Sequence, residues 1–393
     1  VRAVLISCFN YYDNRLKLVD RYLSDQGYEV TYITADYDTV RRKKFISDVS
    51  QAIQIPVIPY RKNLSFERIW SHIRFAKDVE KKLEEIEPQL IFCMLPPNAL
   101  GREVIRYKKK HPKVRVIFDI YDMWPESFPI QNLKKWLSIP FYIWRDLREN
   151  ALKYADGFTY ECKLYREMIG DQALTLRPHA PFYLAQQPVP SIPFQHTTDQ
   201  IIRFLYLGSI NNVVDLNLMI QFLETVQSKR AVHLDIIGGG ENQDIFIKTL
   251  QEKNIPHTFH GMIFDNDSKQ AIIKQVHYGL NVFKEQLTVG LTMKSVDYFK
   301  FSLPIINTIG GDTKEWLEEF ELGYQLERQY INRTVDQVIQ TSPEQWQTMS
   351  QSAKRLFDTH FSTEVVQNHI NHFLSRVIFP AFNNETERGE DDE

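Results

Sequence analysis

The chain has 393 residues, more than one hydrophobic core accommodates, since cores stop growing beyond roughly 250–300 residues; two domains are expected. Hydrophobic residues at 43% and charged residues at 25% are ordinary for a globular protein and exclude collagen-like, disordered and disulfide-scaffold classes. The net charge is −3, but Glu385, Glu387, Glu390, Asp391, Asp392 and Glu393 stand against Arg388 alone, so the body of the chain is near balance and lacks the basic footprint of a nucleic-acid-binding domain.

Val1–Ser7 reads as a buried strand, Arg15–Asp25 as a helix stopped by Gly27, and Glu29–Thr34 as a second strand. The rhythm continues through strand Ile53–Ile58, helix Phe66–Ile86, strand Leu90–Met94, helix Ala99–Lys110 and strand Val114–Asp119. Alternating strands and helices predict a parallel sheet covered on both faces. Pro178, Pro181, Pro188, Pro190 and Pro193 then break the pattern, and 181–199 reads as a linker between a first domain, 1–180, and a second, 200–359. In the second, strands are expected at Ile202–Leu207, His233–Ile237, Thr258–His260, Tyr278–Phe283 and Pro304–Asn307. Helices are expected between them at Asp215–Gln227, Asn242–Glu252, Asp267–Lys274 and Thr292–Phe299, with Lys314–Glu319 after the last. Helices Pro343–Phe357 and Thr363–Ile378 close the chain, with 360–382 packing back on the first domain and 383–393 a disordered acidic tail.

The expected fold is therefore α/β: two Rossmann-like domains facing across a cleft, with ligands beyond the carboxyl ends of the strands. Cys8, Cys93 and Cys162 are lone cysteines without CxxC spacing, which points to a reducing cytoplasm, and no stretch reaches the roughly 20 apolar residues that span a bilayer. His257/His260 and His369/His372 lack neighbouring ligands with metal spacing, and no metal is expected.

The most informative segment is Gly290-Leu291-Thr292, followed by Lys294 and Asp297. A helix starting near Thr292 offers unpaired N–H groups and a positive dipole end, suited to a diphosphate. Gly290 allows close backbone approach, Lys294 adds a cation, and Asp297, one turn on, can accept two ribose hydroxyls. Gly208-Ser209 ends another strand of this domain, and Gly238, Gly239 and Gly240 precede Glu241. The triple glycine is either a tight strand-to-helix turn or a direct ligand contact; it fails the GxGxxG test because Gln243 stands at the last glycine's place. In the first domain Asp119-Ile-Tyr-Asp-Met-Trp-Pro-Glu leaves a strand end. Asp122 and Glu126 there are either helix caps or partners of an acceptor hydroxyl.

Arg203–Gly208, His233–Glu241 and Lys294-Ser-Val-Asp297-Tyr-Phe-Lys-Phe-Ser-Leu-Pro304, in that order and spacing, resemble the retaining glycosyltransferases of the GT-B fold, family 4 type, which serve bacterial surface and capsular polysaccharide assembly. The resemblance covers nearly the whole chain and is sharpest between 203 and 325. It implies a nucleoside-diphosphate-sugar donor, a UDP-sugar by family frequency, bound by Gly208, Ser209, Gly239, Gly240, Gly290, Leu291, Thr292, Lys294 and Asp297. It implies no cofactor and a saccharide or polyprenyl-diphosphate-linked acceptor in the first domain. There Asp119–Ser127 resembles a His-Asp-x-Trp-Pro segment with Tyr121 in place of histidine, which nominates Asp122 as a catalytic group and Tyr121, Trp124 and Glu126 as acceptor contacts.

The chain departs from the family at three places. Asn211, Asn212 and Asp215 stand where relatives often carry an Arg and a Lys. Val289 stands where many relatives have a glutamate that touches the transferred sugar; Glu285, the nearest acid, is the catalytic candidate for that role if the loop is shaped differently. Asn10-Tyr-Tyr-Asp-Asn-Arg15 replaces a glycine-rich loop, with Asn14 or Arg15 left to make phosphate contacts. These departures keep two other readings open, a non-catalytic subunit of a partner transferase and a nucleotide-sugar epimerase. The aromatic segment Trp136–Trp144, between Lys134-Lys135 and Arg145 and Arg148, is either core or a peripheral membrane contact through 134–148, at the inner face of the membrane.

Overall fold

The computed structural model describes residues 1–9, 13–38, 41–47, 49, 52–60, 65–127, 139–190 and 201–380. Tyr11, Lys134, Trp136, the linker residues 191–199 and the acidic tail lie outside the described residues. The chain forms two compact units, one of Val1–Ala185 with Val366 onward, the other of Gln186–Val365.

In the first unit the order is β1 (Arg2–Ser7), α1 (Asp13–Asp25), β2 (Glu29–Ala35), a small hairpin of β3 (Tyr37–Asp38) and β4 (Lys43–Lys44), β5 (Ile53–Ile55), α2 (Phe66–Ile86), β6 (Leu90–Leu95), α3 (Asn98–Lys110) and β7 (Arg115–Ile120). There follow α4 (Ile139–Tyr154), β8 (Gly157–Tyr160), α5 (Lys163–Met168), α6 (Asp171–Leu176) and β9 (His179–Pro181). The sheet is parallel throughout, in the order β5-β2-β1-β6-β7-β8-β9. Ala3–Ile6 and Leu90–Leu95 are almost fully buried, as strands with helices on both faces must be. The carboxyl ends of β1 and β6 flank the point where the strand order reverses.

The second unit contains β10 (Ile202–Ser209), α7 (Leu216–Gln227), β11 (Val232–Gly239), α8 (Gln243–Glu252), β12 (His257–Gly261), α9 (Asn266–Ile273), β13 (Tyr278–Asn281), α10 (Met293–Lys300) and β14 (Ile305–Asn307). It continues with α11 (Gly311–Phe320), β15 (Gly323–Gln325), α12 (Ile331–Gln340) and α13 (Pro343–His360). Its parallel sheet runs β12-β11-β10-β13-β14-β15, so the order reverses between β10 and β13. Phe204, Tyr206, Phe222, Leu234, Ile236, Phe246, Leu280 and Val335 form its core. Ser342 and Gln345 close a capping box ahead of Pro343, which fixes where α13 begins.

The last helix, α14 (Thr363–Ile378), returns to the first unit from Val366. Gln367 Nε2 donates to Leu18 O (2.8 Å), and Val377 and Phe373 press on Gly157, where a Cβ would lie 2.8 Å from Val377 Cγ2. Two elements fall inside stretches without a periodic face. Gly157–Tyr160 follows α4 after only Ala155 and Asp156, and β9 contains Pro181, which an edge strand tolerates because it owes no N–H on its open side. Phe182, Tyr183 and Leu184 are buried, so the chain leaves the first unit at Ala185 and not at 181.

Candidate functional site

At the reversal point of the second sheet, three strands end in side-chain amides. Asn281 closes β13, Asn307 closes β14 and Gln325 closes β15. Asn281 Nδ2 donates to Asn307 Oδ1 (2.7 Å), and Asn307 Nδ2 donates to Gln325 Oε1 (2.8 Å) and Ile309 O (2.8 Å). Asn281 Oδ1 in turn accepts the Thr292 hydroxyl (3.2 Å), whose oxygen caps α10 by accepting the Ser295 N–H (3.0 Å). Gly290 O accepts both the N–H (2.9 Å) and the hydroxyl (2.8 Å) of Thr313 in the first turn of α11. Buried amides are worth their desolvation only when satisfied, and this ladder is what sets the start of α10 at the carboxyl edge of the sheet.

Lys294, on the first turn of α10, is 8% exposed. Its ammonium donates to the Tyr206 hydroxyl (3.1 Å) and lies 4.2 Å from the Tyr206 ring centre and 4.7 Å from that of Phe283. Among the described residues no carboxylate lies within ion-pair distance of it. Burial pulls its pKa from the ordinary lysine value down to about 7. A Cβ at position 208 would lie 3.6 Å from Lys294 Cε, so Gly208 (φ +119°) keeps open the space in front of this cation. Gly208, Lys294 and the start of α10 thus lie together.

The triple glycine divides into two roles. A Cβ on Gly238 (φ +141°) would fall 2.0 Å from Gly208 O, and one on Gly240 (φ +155°) 2.5 Å from Ile210 O. These two residues are glycine because adjacent parallel strands end there with backbones in contact, the tight-turn alternative. Gly239 meets only Gln243 Oε1, at 3.1 Å, and is free of that constraint. Ser209 is exposed, and its carbonyl accepts the Tyr206 hydroxyl (2.6 Å). Asn212, at the place of a basic residue in the family pattern, donates to Glu241 Oε1 (2.7 Å) and accepts from Asn242 Nδ2 (3.0 Å). Asp215 caps α7 and pairs with Arg328 (2.6 Å).

Asp297 is one turn beyond Lys294, with Oδ1 3.3 Å from Lys300 Nζ. Glu285 is exposed on the turn after β13. It lines a cavity of about 460 Å³ with Asp215, Phe283, Thr308 and Arg328, and Lys294 is not among the residues lining that cavity. Phe283 lies between the two, lining that cavity and facing Lys294 Nζ at 4.7 Å.

In the first unit the segment after β7 is tightly committed. Asp122 accepts from Trp124 Nε1 (2.6 Å) and Ser127 Oγ (2.8 Å), and burial raises its pKa above the ordinary carboxylate value against those hydrogen bonds. The Tyr121 hydroxyl donates to Pro96 O (2.9 Å). Both oxygens of Glu126 accept from the buried Arg148 (2.8 Å each), so this acid braces α4. Arg15 corrects an expectation: its guanidinium donates to both oxygens of buried Asp119 (2.9 and 2.7 Å) and to Phe182 O (2.6 Å), which withdraws it from any phosphate.

Sequence reading missed the groups around Trp124. Arg68 lies 4.1 Å over its ring, and His72 stacks on it at 5.9 Å with a pKa held well below the usual value by burial and by Arg68. Both come from α2, a helix whose periodicity marks the buried face without distinguishing core from site. Tyr206 and Phe283 were missed likewise, as apolar strand residues, although Tyr206 shares the Gly208 face of β10 and that alternation was available.

Neither a protein-family model nor a curated protein matches the sequence. Solved structures do. The chain is similar to a sucrose-phosphate synthase from Thermosynechococcus elongatus, with TM-score 0.71 and 14% identity over 97% of this chain and 99% of that one. It is similar to Anabaena HepE in complex with UDP, with TM-score 0.63 and 12% identity over 95% and 100%. A third is WaaG, a glycosyltransferase involved in lipopolysaccharide biosynthesis, with TM-score 0.62 and 12% identity over 95% and 99%. At such identity the likeness is one of fold, and the fold, two parallel Rossmann-like sheets, is the GT-B type expected.

Proposed function

We propose that this protein is a glycosyltransferase that moves a sugar from a nucleoside-diphosphate sugar, a UDP-sugar, to a saccharide or lipid-linked saccharide with retention, in bacterial polysaccharide assembly. One observation carries the reading: Lys294 is a buried cation without a counter-charge among the described residues, placed at the reversal point of a parallel sheet, behind Gly208 and on the first turn of α10. A diphosphate supplies the missing negative charge and accepts the N–H groups of that turn. Asp297 takes the ribose hydroxyls, with Lys300 steadying its carboxylate. The solved structures of similar fold support the class: HepE is solved with UDP, and TarM, at 10% identity and TM-score 0.61, with UDP and α-GlcNAc-glycerol.

In the reaction the bond from the sugar's anomeric carbon to the diphosphate breaks, the acceptor oxygen bonds to that carbon, and the acceptor's proton passes to the departing diphosphate. Lys294 and the α10 terminus lower the barrier by stabilising charge on that leaving group. Acceptor contacts fall to the first unit, around Asp122, Tyr121 and Trp124. A peripheral membrane contact through α4, at the cytoplasmic face, would serve a lipid-linked acceptor.

The test is a thermal-shift and calorimetric panel of UDP, dTDP, GDP, CDP and ADP. A ligand at a hundred times its dissociation constant stabilises the fold by roughly 2.7 kcal/mol. One nucleotide producing that shift, and losing it in Lys294→Ala and Asp297→Ala, supports the reading. Failure of all five would instead favour the non-catalytic subunit, for which the engagement of Asn212 with Glu241 and Asn242 and the Val289 position speak.

A further inference from the structure

We infer that the donor site binds its diphosphate together with a proton, which Lys294 takes up, and that Tyr206 is the positioning residue that lets Lys294 hold either protonation state without moving. The inference rests on the donor reading above.

The Tyr206 hydroxyl spends its hydrogen on Ser209 O (2.6 Å), so only its lone pairs face Lys294 Nζ, 3.1 Å away. An amine and an ammonium can both donate to that oxygen, and the ring faces of Tyr206 and Phe283 add attraction for the charged form alone. Among the described residues no charged group on the surrounding elements forms an ion pair with Lys294. Asp297 faces Lys300, Asp215 caps α7 and holds Arg328, Glu241 holds Asn212, Glu285 lines its own cavity, and Asp312 is buried at the start of α11. Lys284 is exposed, and burial keeps the Tyr206 and Tyr298 hydroxyls neutral. With no described carboxylate within 4.0 Å, Lys294 is discharged by burial as the pH passes about 7. An arriving diphosphate reverses that balance: a solvent proton bonds to the Nζ lone pair, and the ammonium then neutralises one phosphate charge. The basic pair that is replaced by Asn211 and Asn212 would have carried its charge at all pH values; this site acquires its charge on demand.

The experiment is calorimetric titration of UDP into the intact protein at pH 8, where the nucleotide is fully ionised, in two buffers of different ionisation enthalpy. The expected result is uptake of roughly 0.9 proton per UDP bound, with the dissociation constant rising about tenfold per pH unit between 7.5 and 9. Lys294→Arg, charged throughout, should bind UDP with uptake near zero and a flat pH profile. Tyr206→Phe should retain the uptake but bind about three- to tenfold more weakly, since the ammonium loses its fixed acceptor. Tight binding by the wild type without proton uptake overturns the inference while leaving the donor reading intact, as does undiminished uptake in Lys294→Arg. Absence of binding by UDP and by the other diphosphates removes the donor reading itself. Should Lys294→Arg fail to fold, the wild-type pH dependence decides alone.

Discussion

Lys300 Nζ lies 3.3 Å from Asp297 Oδ1, one turn back along α10, and 3.2 Å from Asn266 Oδ1 at the start of α9. Lys300 is itself buried, and its pKa is lowered by that burial against the pull of Asp297. Removing the acid therefore has two effects that must be separated. Asp297→Ala should lose nucleotide binding and also about 1–3 kcal/mol of stability, because a buried ammonium is left without its anion. Asp297→Ala combined with Lys300→Met should recover most of the stability and none of the binding. Urea unfolding and UDP calorimetry on both variants check this. Binding restored in the double variant would reduce Asp297 to a counter-ion of Lys300.

The glycines after β11 separate by the same logic. Gly238→Ala and Gly240→Ala place a Cβ 2.0 and 2.5 Å from backbone oxygens of the neighbouring strand, at positive φ. Each should cost more than about 2 kcal/mol, visible as a lowered urea midpoint or loss of folded protein. Gly239→Ala meets only the end of the flexible Gln243 side chain and should keep the wild-type melting temperature. If Gly239 also touches the donor, its alanine variant will bind UDP several-fold more weakly at unchanged stability. Unchanged affinity would make the whole run a turn.

Much of this was legible in the sequence, and for stated reasons. The βα rhythm places β10, β11, β13 and α10 because parallel strands buried on both faces read as continuous apolar runs between helical periods. The start of α10 was legible because Thr292 is a capping residue ahead of an apolar face. What remained hidden depends on distant contacts. Nothing local in Arg15 announces Asp119, 104 positions on, and nothing in Glu126 announces Arg148. Alternation along β10 puts Tyr206 on the Gly208 face, but that Lys294 rests on its ring and hydroxyl is a contact 88 positions away. The amide ladder of Asn281, Asn307 and Gln325 is a property of three strand ends meeting, which no single segment contains.

Free of ligand, the protein should become more stable as pH rises above 7. In the unfolded chain Lys294 returns to the ordinary value of 10.5, whereas in the fold it is lowered to about 7. Between these values the unfolded state holds the extra proton, so stability climbs with pH, by up to about 1.4 kcal/mol per unit for one proton. Below 7 that contribution is gone. Lys300 acts in the same sense, and buried His72, also lowered, contributes only below its ordinary value of 6.5. Urea midpoints at pH 7, 8 and 9 should rise in the wild type and rise less in Lys294→Met. Parallel slopes in the two proteins would place the protons elsewhere.

The outer face of α4 gives the last prediction. Ile139, Tyr142 and Ile143 are 56%, 54% and 59% exposed at spacings of three and four, which puts them on one face, while Arg148, Ala151 and Leu152 are buried on the other. The described part of the segment is thus divided between core and surface, while 134–138 lie outside the described residues. Arg145 lies 5.2 Å over the Tyr142 ring, and Arg102, Arg106 and Lys109 line a cavity of about 380 Å³ between α3 and α4, with Lys109 4.4 Å over Tyr154. Apolar side chains beside cations match an anionic bilayer surface, to which each basic residue adds about 1 kcal/mol. Co-sedimentation with vesicles containing phosphatidylglycerol should pull down the wild type and spare it with phosphatidylcholine alone. Ile139→Asp with Ile143→Asp should reduce the bound fraction about tenfold without altering nucleotide binding, because Gly208, Lys294 and Asp297 belong to the other unit. Equal pelleting of wild type and variant would show that this face does not meet the membrane, and the exposed residues of α4 would then need a protein partner to cover them.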